Sequence, residues 1–175
     1  MKKNIATIIL LLIIIVGIVG VWFIKNNERE NDQIIEQSQN ENVNEDFKLY
    51  VEGNLDIEKL KSYNLPIMID FGAEWCPPCN MMKPDLIKLN NELEGEAIIK
   101  IVDVDENPNA TKGYKIELLP TQIFINSDGT PYIPKDNSIE GFEIVKDKEE
   151  NVLYTMHVGI LTRTQILSIV EQMKM

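Results

Sequence analysis

The chain contains two cysteines, and both fall in Trp75-Cys76-Pro77-Pro78-Cys79, directly after the apolar run Ile67-Met68-Ile69-Asp70-Phe71. Two thiols at this spacing can close into a disulfide and reopen, and the thiolate is a nucleophile, so the pair reads as a dithiol redox switch. A structural zinc site wants four ligands, usually two Cys-x-x-Cys pairs or one pair with two histidines, and here the single histidine is His157. Zinc is therefore a poor fit. A purely structural disulfide across so short a loop removes little chain entropy and would be a weak staple for a domain of this size.

Two further features bear on that chemistry. If a helix begins at the motif, Cys76 sits at its positive end, where unpaired backbone N–H groups and the helix dipole favour a thiolate. Pro77 and Pro78 stiffen the spacer and remove backbone donors. Asp70 is a carboxylate in an otherwise apolar run, six residues before Cys76. Buried, it would be costly and therefore meaningful; as a strand-end residue facing water it would be ordinary.

The elements that position these residues alternate in type. A helical pattern over Leu55 to Tyr63 precedes a short strand from Pro66 to Phe71. A helix is expected from Cys79 to Leu93, with Met81, Met82, Leu86, Leu89 and Leu93 inward. A strand over Ala97 to Val104, a short helix over Asn109 to Tyr114 and a strand over Thr121 to Ile125 follow, the last ending at the Asn126-Ser127-Asp128-Gly129 turn. Asn151 to Val158 reads as a strand and Thr162 to Met173 as a closing helix with Thr162 as cap. The class is α/β with a mixed central sheet. His157, beside Tyr154 and Met156, reads as a structural or surface histidine rather than a ligand.

Outside this domain the composition changes sharply. Residues 1–24 begin with Lys2 and Lys3 and continue in an apolar run from Ile5 to Ile24, broken only by Thr7 and small Gly and Ala positions, of which fifteen residues are Ile, Leu, Val or Phe. Twenty residues at about 1.5 Å each match a bilayer core. No small-residue cleavage site is convincing and no cysteine near residue 20 offers a lipid anchor, so an uncleaved single-pass anchor is expected. The lysines on the short leading side put the amino terminus in the cytoplasm and the remainder outside. Residues 25–46 are mostly Asn, Gln, Glu and Asp and read as a flexible acidic tether. Residues 47–175 form the folded domain. The net charge of −11 argues against nucleic-acid binding through a basic face. Asp103-Val104-Asp105-Glu106-Asn107 lacks the spacing of a calcium loop, so no metal is expected.

The stretch from Pro66 to Thr130 closely resembles the thioredoxin family. Ile69-Asp70-Phe71-Gly72-Ala73-Glu74-Trp75-Cys76-Pro77-Pro78-Cys79 is similar to the family's strand and active-site block. Pro84 matches the proline of its active-site helix, Asp103 to Pro108 its strand end and Asn-Pro turn, and Leu118-Leu119-Pro120-Thr121 its cis-proline loop. The resemblance implies a thioredoxin fold, a mixed sheet flanked by helices, with no cofactor beyond the redox disulfide. It further implies that Cys76 attacks a partner disulfide and a deeper Cys79 resolves the mixed disulfide, with Asp70 as the proton acceptor behind Cys79. The family's lysine partner for that aspartate falls at Ile101, so its charge pairing is missing. Leu119 and a cis Pro120 would present backbone to an extended substrate, and Trp75, Pro77 and Pro78 would contact it.

Residues 131–150 depart from the pattern, since ordinary thioredoxins pass almost directly into the next strand. They read as an added hairpin or long loop, with Ile139 to Val145 strand-like. With the anchor, this resembles a bacterial group of membrane-tethered thioredoxin-like proteins associated with membrane electron transducers of the cytochrome c biogenesis type. The implied function is an extracytoplasmic reductase of protein disulfides, fed by such a transducer. The alternatives are a disulfide oxidase or isomerase, although the oxidase group carries a spacer histidine absent from Pro77-Pro78, and a copper-handling or client-binding module.

Overall fold

Strand β1, Ile67–Gly72, is buried at every position, which is why it reads as a continuous apolar run instead of an alternating one. It lies inside a five-stranded sheet of order β2-β1-β3-β5-β4, formed with β2 (Ile98–Asp103), β3 (Thr121–Ile125), β4 (Phe142–Lys146) and β5 (Val152–Val158). The computed structural model describes residues 44–136 and 138–174. The anchor expected over 1–24 and almost all of the tether expected over 25–46 lie outside those residues. Among the described residues no helix is long and apolar enough to cross a membrane.

β1 pairs in parallel with β2 and antiparallel with β3. β5 pairs antiparallel with both β3 and β4. The sheet is mixed, as the alternation of elements requires for a crossover on one side and hairpin-type returns on the other. Its two faces carry separate cores. Helices α2 (Pro77–Glu92) and α3 (Arg163–Met173) cover one face, burying Met82, Leu86, Leu89, Ile166, Ile169 and Val170 against Met68, Ile99 and Phe124. The short helix α1 (Ile57–Lys61) and the 3-10 turn Pro108–Thr111 lie over the other, where Leu60 joins Ile67, Ile69, Phe71, Ile98 and Ile123. Each fully buried leucine or isoleucine stabilises this arrangement by roughly 1.5–3 kcal/mol relative to exposure.

Several expectations shift once tertiary contacts are present. Met81 is 70 % exposed and not part of the inner face. The buried stripe of α2 runs Cys79, Met82, Leu86, Leu89 and on to Leu93, steps of three and four residues that leave Met81 about 100° off the stripe. The expected helix over 109–114 is the 3-10 turn Pro108–Thr111, and the helix expected over 55–63 is a single capped turn and a half with Asp56 as N-cap.

Residues 131–150 contribute the edge strand β4, which starts at Phe142 and not at Ile139. Gly141 explains the late start: it has φ +95°, and a Cβ there would stand 2.8 Å from the Val158 carbonyl oxygen and 2.9 Å from His157 Nε2. The chain passes too close to β5 at this point for an ordinary strand residue. On the opposite edge, the segment around Tyr50 bridges in parallel to Ile101, with Val51 N–H donating to the Ile101 carbonyl at 3.0 Å.

Thr162 caps α3 in a reciprocal arrangement with Gln165: the Gln165 N–H reaches Thr162 Oγ1 and the Thr162 N–H reaches Gln165 Oε1 at 2.8 Å. This is the capping box that satisfies two otherwise orphaned donors.

Candidate functional site

Cys76 occupies the N-cap of α2, with extended backbone (φ −90°, ψ 104°), and its Sγ accepts from the Cys79 N–H at 3.3 Å. Pro77 and Pro78 fill the first helical positions, where a missing N–H costs nothing because the helix has no partner for it there. The same sequence thus starts the helix and places a sulfur at its positive end. The two cysteines are joined, with S–S 2.01 Å and Cα–Cα 5.3 Å.

Both sulfurs sit in a small apolar cluster with Ala73, against which Val104 and Leu119 pack. By exposed area Cys79 is not the deeper residue, at 7 % against 2 % for Cys76. What separates the two is direction. Cys76 lines an open groove with Trp75, Pro77, Pro78, Leu118 and Leu119, and Cys79 does not. Cys79 instead packs against β1: a Cβ on Gly72 would stand 3.2 Å from both its Cβ and its Sγ, and 3.9 Å from Asp70 Oδ2.

Asp70 is 2 % exposed and points to the α2 side of the sheet. Burial pushes its carboxyl up to about 6, while a hydrogen bond from Gln122 pulls the other way. Gln122 Nε2 donates to Asp70 Oδ1 at 2.8 Å and to the Gly159 carbonyl at 3.2 Å. Across β1 and β2 Asp70 is paired with Ile101, an apolar residue. Lys100, one residue away, projects from the opposite face, where Nζ donates to the Lys48 carbonyl. Burial lowers its pKa to about 8.

The loop carrying the cysteines is fixed from β2. Asp103 Oδ2 accepts from the Glu74 N–H at 3.1 Å, and its Oδ1 accepts from the Asp105 N–H at 2.9 Å. Asp105 in turn accepts from Trp75 Nε1 at 2.6 Å. That bond holds an indole that is 68 % exposed at the mouth of the groove. Asn80 Nδ2 donates to the Glu74 carbonyl at 2.9 Å. The Leu119-Pro120 peptide is cis, and the Pro120 carbonyl accepts from the Gly159 N–H at 2.9 Å. Leu119 packs on the cysteine cluster.

The residues singled out in the sequence therefore fall into two groups. Trp75, Cys76, Pro77, Pro78 and Leu119 line the groove together, with Pro120 adjacent in the chain. Cys79 and Asp70 lie behind them on the sheet side. Gln122 and His157 join Asp70 in the buried part of this arrangement. Gln122 carried a usable signal, a polar side chain opening the otherwise apolar strand Gln122-Ile123-Phe124-Ile125, the same anomaly that marked Asp70. His157 carried none, because its role depends on which residue stands beside it.

A nucleophile at a helix N-terminus, a second thiol packed on the sheet and a buried carboxyl beyond it define a dithiol–disulfide redox protein. The profile of the Thioredoxin family matches residues 48–148, and the chain belongs to that family. Over 66 residues it is 39% identical to a thioredoxin of Rickettsia conorii, a match covering 37% of this chain and 63% of that protein, less than two thirds of its length. A Staphylococcus aureus thioredoxin is 40% identical over 79 residues, 42% of this chain and 75% of that one. The solved thioredoxin of Fasciola hepatica superposes with a TM-score of 0.51 at 25% identity, covering 73% of this chain and 100% of its own. A mutant thioredoxin from Halobacterium salinarum gives a TM-score of 0.52 at 23% identity over 76% of this chain and 96% of that one, a likeness of fold.

Proposed function

We propose that this chain is a thiol–disulfide oxidoreductase that reduces protein disulfides outside the cytoplasm, tethered by the apolar segment of residues 1–24 and re-reduced by a membrane electron transducer. The observation that carries the redox reading is the unequal placement of the two sulfurs, Cys76 on the groove at the α2 N-cap and Cys79 toward Asp70.

In the reduced protein the Cys76 thiolate attacks one sulfur of a substrate disulfide. A Cys76–substrate disulfide forms, and the first substrate sulfur leaves as a thiolate and takes a proton. The Cys79 thiol gives its proton to Asp70, whose pKa near 6 makes it a usable acceptor close to neutrality. The Cys79 thiolate then attacks Cys76 Sγ, closing the intramolecular disulfide and releasing the second substrate sulfur. Two electrons pass from the dithiol to the substrate. The protein is left in the disulfide form seen here.

The groove supports an extended polypeptide as substrate. Trp75, Leu118 and Leu119 offer apolar contact, and Leu118 and Trp75 are 64 % and 68 % exposed. The outward location rests on the lysine-flanked apolar run alone.

The decisive measurement is the reduction potential of the Cys76/Cys79 couple. A value near about −270 mV supports a reductase, and one near about −120 mV overturns that reading in favour of an oxidase. Location is tested separately: in cells expressing the full chain, the folded domain should fractionate with membranes and be cut by protease added to spheroplasts. Protection from that protease would overturn the outward orientation.

A further inference from the structure

One row of side chains crosses all five strands on the α2 and α3 face. Ile101 pairs with Asp70, Asp70 with Gln122, Gln122 with His157, and His157 with Phe142. The row has apolar ends and a polar middle, and each polar member is at most 3 % exposed. Its hydrogen bonds run in series. Gln122 Nε2 donates to Asp70 Oδ1 at 2.8 Å, and Gln122 Oε1 lies 2.7 Å from His157 Nδ1.

We infer that Gln122 and His157 are positioning residues for Asp70, which hold its carboxylate from β3 and β5 and couple its proton exchange to the edge strand β4. The inference rests on the reading of Asp70 as the proton acceptor for Cys79.

The chemistry of the amide requires this ordering. Both hydrogens of Gln122 Nε2 are directed at acceptors, Asp70 Oδ1 and the Gly159 carbonyl. Only Oε1 remains for His157, so the imidazole donates through Nδ1. Turning the amide end for end would set its oxygen against an ionised carboxylate and a carbonyl, two contacts between acceptors in a dry interior. The His157 N–H thus fixes the amide, and the amide fixes Asp70. Because Oδ1 is taken by Gln122, the proton from Cys79 goes to Oδ2, the oxygen nearer the point on Gly72 that Cys79 Sγ also approaches.

His157 in turn is set by the segment leading into β4. Its Nε2 lies 2.9 Å from where a Gly141 Cβ would be, and its ring packs edge-on to Phe142 at 5.3 Å. Burial favours the neutral imidazole and holds its pKa below the ordinary value, although the nearby Glu140 backbone pulls toward the protonated form. The groups around Asp70 are Ile101 from β2, Cys79 from α2, Gln122 from β3 with Met82 Sδ against its amide, and His157 from β5 through Gln122. Of these, only the reduced Cys79 thiol and His157 titrate. The partner missing at Ile101 is thus replaced from the other side of Asp70 by a neutral donor chain.

His157 is the single histidine of the chain, so selective ¹⁵N-histidine labelling of the reduced full-length protein in detergent reports on it alone. The expected spectrum above the Asp70 midpoint is the Nδ1–H tautomer, with a second inflection of the imidazole shifts at that midpoint that disappears in Asp70→Asn. An Nε2–H tautomer, or an inflection that survives Asp70→Asn, would overturn the relay. In parallel, the Asp70 carboxyl is titrated by ¹³C NMR. Gln122→Leu should raise its midpoint by about one pH unit, His157→Phe by less, and His157→Asn, whose Nδ2 can still donate to Gln122, should restore it. An unchanged midpoint in Gln122→Leu sinks the inference, and the tautomer measurement on the wild-type protein decides the matter if the variants do not fold. The two readings fail separately. Shifted midpoints with unaltered resolution by Cys79 in Asp70→Asn would remove the base role and leave the relay standing.

Discussion

Asp70 and Gln122 stand opposite one another on β1 and β3, and the Gln122 amide gives the buried carboxylate its hydrogen bond at 2.8 Å. A neutral donor stabilises a charge less than a cation would, so the carboxyl remains well above its ordinary range, near 6.

That elevation has a consequence for stability. The folded-state pKa lies above the unfolded value, so the native state binds the proton more tightly, and stability falls as pH rises from about 4 to about 6 and stays lower above it. At pH 7 the ionised Asp70 costs about 3 kcal/mol. Asp70→Asn should therefore raise the melting temperature at pH 7, with the gain shrinking to nothing near pH 4, and should slow the Cys79 step more than the initial attack. Denaturant titrations of the oxidised protein at both pH values check the first part. A stabilisation equal at pH 4 and pH 7 would count against it.

Gly72 is the contact point between β1 and Cys79. Gly72→Ala places a methyl 3.2 Å from both Cys79 Cβ and Sγ, which should destabilise the oxidised protein by about 1–3 kcal/mol. The reduced protein, whose Cys79 sulfur can turn away, should lose less. The potential should then become more oxidising, by about 30 mV for each 1.4 kcal/mol of difference. Redox titration against glutathione reads this directly.

The groove faces Cys76 and not Cys79. Cys79→Ser should accumulate mixed disulfides with client proteins, visible on non-reducing gels and cleared by dithiothreitol. Cys76→Ser should accumulate few or none, although it retains a thiol. Equal trapping by the two variants would mean that both sulfurs reach the substrate.

Thr162 starts α3 directly after the chain has passed Gly159, whose carbonyl accepts from Gln122. Thr162→Ala removes one half of the capping box and should cost about 1 kcal/mol of global stability. Thr162→Ser should restore it. Chemical denaturation of the three proteins tests this, with no change expected in the Cys76/Cys79 potential.

Much of the site was legible because its signals are local. The Cys-x-x-Cys spacing, the prolines that open α2, the single carboxylate of β1 and the Leu119-Pro120 loop each occupy a few consecutive residues, and the period of the apolar residues located four of the five strands. Met81 was misplaced because adjacent methionines leave the phase of a helical stripe ambiguous until the helix start is known. The start of β4 was misplaced because the close approach of Gly141 to β5 is a contact between residues distant in sequence.

Local sequence by itself determined the chemistry of this protein: two thiols at one helix start, a polar group inside a buried strand, and the alternation of elements that builds an α/β sheet. Tertiary structure alone decided which groups serve that chemistry. A two-residue period tells which face a side chain occupies but not which residue of a distant strand stands beside it. The pairing of Asp70 with Gln122, of Gln122 with His157 and of Asp70 with Ile101 follows from strand register, which is set by packing across the whole sheet.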